Sequence, residues 1–134
     1  MTEAAVALAP LARRIWLTTG TNELSTLSHL SDAWFLIRMI TRPQEALPLS
    51  DYHLLEARGP FDLAGERALI SRYRIEALLT KASGGRATAA KLTAAREAGI
   101  PVVMIARPTL PDAATVTEPE AALDWIARIL ETRR

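Results

Sequence analysis

Five short hydrophobic runs recur along the 134-residue chain, separated by longer segments, most of which carry helical patterns. Within each run the apolar residues are nearly consecutive, which is typical of strands buried on both faces of a parallel sheet. A loop containing Pro43 and Pro48, rather than a helix, separates the second and third runs. The predicted strands are residues 14–20, 33–39, 52–57, 77–80 and 102–106.

Four helices are predicted, each with a start or stop signal in the sequence. One face of the last helix is apolar and carries Ala122, Trp125, Ile126 and Ile129. Leucines at helical spacing support the first helix, over Leu24, Leu27 and Leu30. The first helix has a cap at Thr21 or Asn22, and the second has a cap at Asp62 and runs to Tyr73. The third, over 86–98, ends at Gly99, and the fourth starts with a capping box of Thr117 and Glu120.

This alternation of strands and helices predicts an α/β fold. The expected domain is Rossmann-like, with three layers, about five mostly parallel strands and helices on both faces of the sheet. Residues 14–134 are predicted to form this single domain. Residues 1–13 are rich in alanine and interrupted by Pro10, so they are expected to be an N-terminal linker or a short helix.

Composition excludes several classes of protein. The net charge of +1 argues against a broad basic field for nucleic acid, and no apolar run approaches the roughly 20 residues of a membrane-spanning helix. The chain has no cysteine and only two histidines, which argues against a metal site or a thiol nucleophile. His29 is expected inside the first helix and His53 at the start of a strand, away from any catalytic position. A cytoplasmic protein without metal, nucleic-acid or membrane partners is therefore expected.

The turn Ser83-Gly84-Gly85 lies between a predicted strand and a predicted helix. Backbone N–H groups at a helix start can hold an anion, and Lys81 and Arg86 place positive charge on either side of the turn. In the alternative interpretation Ser83 only caps the helix and the glycines only let the backbone turn. The sequence leaves both interpretations open.

Polar and cationic residues also follow the other predicted strands. Because the carboxyl ends of parallel strands meet at one edge of a sheet, these residues are expected to lie near the Ser-Gly-Gly turn. Such an edge favours an anionic ligand over a metal or a hydrolytic triad. Glu66, close to the apolar stripe of the second helix, is expected to be a solvated or paired surface charge. The residues at the strand ends are Thr18, Thr19, Gly20, Arg42, Arg58, Gly59, Pro60 and Arg107.

Four motifs between Arg14 and Val116 are similar, in order and spacing, to the C-terminal half of the precorrin-6A reductase family. That resemblance implies hydride transfer from NADPH to a precorrin macrocycle in cobalamin biosynthesis, giving precorrin-6B. The motifs are Thr-Thr-Gly at 18–20, Arg-Gly-Pro-Phe at 58–61 followed by Glu66, Thr-Lys-x-Ser-Gly-Gly at 80–85 with Lys91, and Val-Val-Met-Ile-Ala-Arg-Pro at 102–108.

The resemblance also implies roles for the strand-end residues. Lys81 becomes the candidate proton donor, and an anionic tetrapyrrole and NADPH become the expected ligands. The implied cofactor-binding residues are Thr18, Thr19, Gly20, Ser83, Gly84 and Gly85, and the implied substrate-binding residues are Arg42, Arg58, Gly59, Pro60, Arg86 and Arg107.

One feature of that family is missing from the sequence. Family members begin with another α/β domain that carries a Gly-rich dinucleotide loop, and this chain contains no Gly-x-Gly-x-x-Gly. The resemblance therefore implies a partner domain, in cis or in trans. The alternative is a stand-alone, non-catalytic α/β module that binds a nucleotide or a tetrapyrrole, or a supporting subunit. A third interpretation is a Rossmann-like enzyme of another pathway.

Overall fold

The chain folds around a five-stranded parallel sheet. The computed structural model describes residues 1–134, apart from the side chain of Ala87. Every neighbouring pair of strands is parallel, and their order across the sheet is β3-β2-β1-β4-β5. The predicted fold class and all five predicted strands are confirmed. The strands are β1 (Arg14–Leu17), β2 (Trp34–Met39), β3 (Tyr52–Glu56), β4 (Ala77–Lys81) and β5 (Val102–Ile105).

Helical elements cover both faces of the sheet and make the three layers. On one face Ile15 and Leu17 of β1 join a core with α1 and with a short 3₁₀ helix, Leu24–Leu27. On the other face Trp16 packs in a core with α2 and α3. No helix in the described chain is long and apolar enough to cross a membrane. The α-helices are α1 (Thr2–Leu8), α2 (Leu63–Arg72), α3 (Arg86–Ala98) and α4 (Pro119–Thr132).

Two predicted helix ends agree with the structure. The Gly65 N–H donates to Oδ1 of Asp62 at 2.7 Å, so Asp62 caps α2. Gly99 ends α3 with φ of 70°, in the left-handed region that glycine tolerates best.

The α-helix predicted after β1 is wrong. Only one 3₁₀ segment forms there, although its Leu24 and Leu27 are buried as the leucine spacing suggested. The residue before it is Glu23, so neither Thr21 nor Asn22 acts as the cap, and His29 lies in a turn. The Thr26 and Ser28 hydroxyls donate to backbone carbonyls three residues earlier, both at 2.7 Å, and such local bonds compete with a regular α-helix.

The predicted start and packing of the last helix are also wrong. Helix α4 begins at Pro119 after Glu118, with no side-chain cap, so Thr117 and Glu120 form no capping box. Proline is favoured at this first helical position because its ring presets φ. None of the described residues of α4 is buried, and Trp125 is 46% exposed. An exposed segment without helix or strand over 106–118 precedes the helix, and one face of β5 also stays exposed at Val102 and Met104.

Helix α1 belongs to the packed body of the molecule. Its Ala4, Ala5 and Leu8 side chains are buried in the same core as β1 and β2. The domain boundary at residue 14 stays a prediction. The buried side chains of α1 show that the core includes residues before that boundary.

A buried ion pair joins α2 to the sheet. Arg38, in β2, donates to both oxygens of Glu66, in α2, at 2.5 and 2.9 Å. The side chains are 8% and 2% exposed. The Arg38 guanidinium also lies 3.6 Å from the centre of the Phe61 ring and 4.9 Å from the Trp16 ring. Glu66 is therefore paired as expected, but buried rather than at the surface.

We expect Leu8→Ala to destabilise the protein by about 2–5 kcal/mol, because it removes a fully buried side chain and leaves a cavity. The matched control is Val6→Ala in the same helix, where the side chain is 68% exposed and the loss should stay within about 0.5 kcal/mol. Urea unfolding measures both. Equal losses for the two variants would contradict the packing of α1.

We expect Glu66→Ala to lower the free energy of unfolding by about 3–5 kcal/mol, because Arg38 would stay buried without its counter-ion. Glu97→Ala removes the carboxylate of the exposed Arg67–Glu97 pair, so it is the matched control and should cause a much smaller loss. Thermal unfolding followed by circular dichroism compares them. A small loss for Glu66→Ala would show that Arg38 finds another partner or reaches water.

Candidate active site

The strand order creates a crevice between β1 and β4. From β1 the chain moves outward to β2 and β3, then returns across the sheet to β4 and β5. The segment after β1 lies on the α1 face, whereas α3, after β4, lies on the opposite face. The two connections therefore separate at the carboxyl edge, and ligands of open α/β sheets bind at such switch points.

The Ser-Gly-Gly turn forms the β4 side of this crevice. Gly84 has φ of 70°, and Gly85 is the cap residue of α3 in an extended conformation. The Ser83 hydroxyl lies 3.4 Å from Oγ1 of Thr88 and makes no cap hydrogen bond to α3. The interpretation of Ser83 as a plain helix cap is therefore wrong. A Cβ on Gly85 would meet nothing within 4 Å, so the backbone there is open to an approaching group.

Arg107 holds this turn from the end of β5. Its Nε donates to the carbonyl of Ala82 and its Nη2 to that of Ser83, both at 2.7 Å. A Cβ built on Gly84 would lie 2.6 Å from Nη2 of Arg107. Any side chain at position 84 would therefore disturb the turn itself, whether or not a ligand is present.

Three adjoining cavities follow the carboxyl edge of the sheet. The first, of about 370 Å³, brings together five predicted site residues: Lys81, Ser83, Gly84, Gly85 and Arg107. The second, of about 300 Å³, is lined by the ends of β1 and β2 and includes Thr18 and Gly59. The third, of about 460 Å³, lies between β3 and α2 and includes Pro60.

Other predicted site residues are not brought into these cavities. Arg42, Arg58 and Arg86 are exposed and line none of the three. Thr19 is buried, and its hydroxyl has no hydrogen-bond partner among the described atoms. Gly20 is exposed with φ of 79°.

The structure adds Lys91 and Arg38 to the site. Lys91, from α3, lines both the first and the second cavity, and its ammonium donates to Oγ1 of Thr18 at 3.1 Å. Arg38 lines the second and the third. The sequence held a signal for Lys91, since it lies three and four residues before the buried Ala94 and Ala95 and so shares their face of the helix. Arg38 was hidden within a strand read as apolar.

The surroundings of Lys91 disfavour its charged form. Burial lowers the pKa of the Lys91 ammonium, and the nearby positive charge of Arg38 lowers it further. Glu66 acts in the opposite direction, but its carboxylate is already bound by Arg38. The crevice thus contains a buried lysine that releases its proton more readily than a solvent-exposed lysine.

Known proteins match the chain over most of its length. The family model described as precorrin-6x reductase CbiJ/CobK matches residues 1–127. A precorrin-6A reductase of Rhodococcus erythropolis is 47% identical over all of this chain and 53% of its own length. A precorrin-6A reductase of Mycobacterium tuberculosis is 46% identical over 85% of this chain and 47% of its own.

A solved structure agrees with these sequence matches. The structure named CobK precorrin-6A reductase superposes with a TM-score of 0.77 at 34% identity, covering 92% of this chain and 52% of that one. The chain therefore spans about half the length of the relatives it matches. On the family model and these relatives together, the chain belongs to the precorrin-6x reductase family.

Proposed function

We propose that this chain forms the substrate-facing half of an NADPH-dependent reductase that converts precorrin-6A to precorrin-6B in cobalamin biosynthesis, in the cytoplasm. The observation that carries the proposal is the 47% identity, over the whole chain, with a protein named precorrin-6A reductase. The family match favours this hypothesis over a stand-alone binding module, and it agrees with the expected resemblance.

The charges at the sheet edge support an anionic ligand. Lys81 and Arg107 line the first cavity, and Lys91 and Arg38 line the second. Carboxylates and phosphates form strong, charge-assisted hydrogen bonds with such groups. A tetrapyrrole with several carboxylates is the substrate class that fits these cations, and apolar side chains such as Phe61 and Ile40 provide surface for its ring.

The turn at Ser83-Gly84-Gly85 fits a phosphate group of NADPH. The backbone at Gly85 is open, and the start of α3 carries N–H groups without helical partners. When bound, NADPH would supply a hydride, while the residues of this chain orient the ligands and exclude water. Thr18, which lines the second cavity, is proposed to contact the cofactor together with the adjoining Thr19 and Gly20.

We further propose that a dinucleotide-binding domain completes the site, in cis or in trans. The relatives extend to about twice the length matched by this chain. The chain itself carries the turn and the cations but no Gly-x-Gly-x-x-Gly loop. In this arrangement, the carboxyl edge of the sheet faces the second domain.

Calorimetric titration of the chain with NADPH and then with uroporphyrin, a carboxylate-rich tetrapyrrole, tests the proposed ligands. We expect Lys81→Ala to weaken binding roughly tenfold, because it removes one charge-assisted contact. Arg96→Ala is the control, since it removes an exposed cation from the last turn of α3, away from the cavities. Binding that is equally affected by both variants would indicate attraction to net charge rather than a site. If neither ligand binds, the site is not formed by this half alone.

Gly85→Val tests whether a ligand approaches the turn. We expect it to abolish measurable NADPH binding while the protein stays folded, because the added side chain fills open space beside the turn and Gly85 has an ordinary φ of −92°. Loss of a favourable helix-cap residue should lower the free energy of unfolding only by about 1 kcal/mol. NADPH affinity unchanged from the original chain would exclude the turn from the cofactor site.

A further inference from the structure

We propose that Lys91, rather than Lys81, delivers the proton that accompanies hydride transfer to the tetrapyrrole. This inference rests on the proposed function and assigns one further residue to the same site. It starts from the position of the two side chains, since the chain contains only these two lysines.

Lys91 lies where the two halves of the site meet. It lines the cavity of the Ser-Gly-Gly turn and also the cavity at the ends of β1 and β2. Among the described side chains, Thr88, one turn earlier in α3, is the only other one that lines both. A group bound in one cavity and a group bound in the other would therefore both lie beside Lys91. Lys81 lines only the first cavity and is exposed.

The Lys91 ammonium is held in place but not fully used. Lys91 is 7% exposed, and its ammonium donates a described hydrogen bond to Oγ1 of Thr18 at 3.1 Å. An ammonium has three N–H donors. The hydrogen bond to Thr18, at the end of β1, thus orients the Lys91 side chain and leaves N–H donors of the ammonium for a ligand in the crevice.

Charged groups on each neighbouring element shape its acidity. Arg38 on β2 repels the ammonium, Glu66 on α2 attracts it, and Lys81 and Arg107 share the first cavity with it. Burial, followed by Arg38, lowers the pKa of Lys91, which brings the group closer to the operating pH of a general acid. A neutral amine after proton transfer also suits this buried position better than the charged form does.

In the proposed step, proton transfer from Lys91 accompanies hydride transfer from a dihydronicotinamide. A dihydronicotinamide gives a hydride, and with it two electrons, to one atom of an unsaturated bond in the macrocycle. The Lys91 ammonium gives a proton to the other atom of that bond, so one C–H bond forms at each carbon, or one C–H and one N–H bond. The nicotinamide is oxidised and the macrocycle reduced. The neutral Lys91 then regains a proton from solvent when the product leaves.

Side-chain NMR of the chain, with lysine labelled at the Cε carbon, tests this directly, because only two lysine signals are present. A Lys81→Arg variant assigns them. We expect Lys91 to titrate below the ordinary lysine value of about 10.4, and its signal to shift when uroporphyrin and NADP⁺ are added. An ordinary pKa for Lys91, or a ligand response at Lys81 without one at Lys91, overturns the proposal. This measurement needs no substitution at position 91, so a folding defect cannot obscure it.

Kinetics separate proton delivery from a purely structural role. In an assay of NADPH oxidation with precorrin-6A and the proposed partner domain present, Lys91→Met and Lys91→Arg should each lower kcat by roughly 100-fold or more, a larger factor than any change in KM. Arginine keeps the charge but does not release its proton, so recovery of kcat in Lys91→Arg would overturn the proposal. Lys81→Met should change KM instead. If no NADPH is oxidised with the proposed partner domain present, the proposed function fails and the role of Lys91 fails with it. If NADPH is oxidised and Lys91→Met does not slow turnover, the role of Lys91 alone is overturned.

Discussion

The ion pair between Arg38 and Glu66 is the interaction around which the site is built. It fixes α2 against β2. The Phe61 ring, in the loop after β3, packs on the Arg38 guanidinium and so holds that loop beside the ion pair. With Lys91 nearby, this region holds two cations and one carboxylate. Interactions between charges are stronger in such a poorly hydrated region than in water. An excess of one positive charge therefore favours an anion at the mouth of the crevice.

The topology explains how distant parts of the sequence reach one edge. Thr18, the 57–61 segment, the turn at 83–85 and Arg107 are separated by many residues, yet each follows the carboxyl end of a parallel strand. Parallel strands share one direction, so the chain must deliver every such segment to the same side. The family resemblance rests on these segments.

Much of the fold could be predicted from the sequence because the signals were local. Runs of consecutive apolar residues predicted the strands, and Asp62 and Gly99 predicted two helix ends. Each of these signals depends on only a few neighbouring residues. The 3₁₀ segment after β1 and the exposed α4 depend instead on what the rest of the chain covers. The burial of Arg38 could not be predicted for the same reason, since its partners Glu66 and Phe61 come from other elements. The helical spacing of Lys91 from Ala94 and Ala95 did indicate a buried face, but not the hydrogen bond to Thr18.

Arg107 gives the Ser-Gly-Gly turn a property that its glycines alone would not provide. A short loop with two glycines is normally mobile, and ordering such a loop on binding reduces affinity. Because the guanidinium already holds the carbonyls of Ala82 and Ser83, the turn has its shape before any ligand arrives. The turn is therefore a preformed template rather than a flexible flap, and in the proposed site it would select ligands by size and charge.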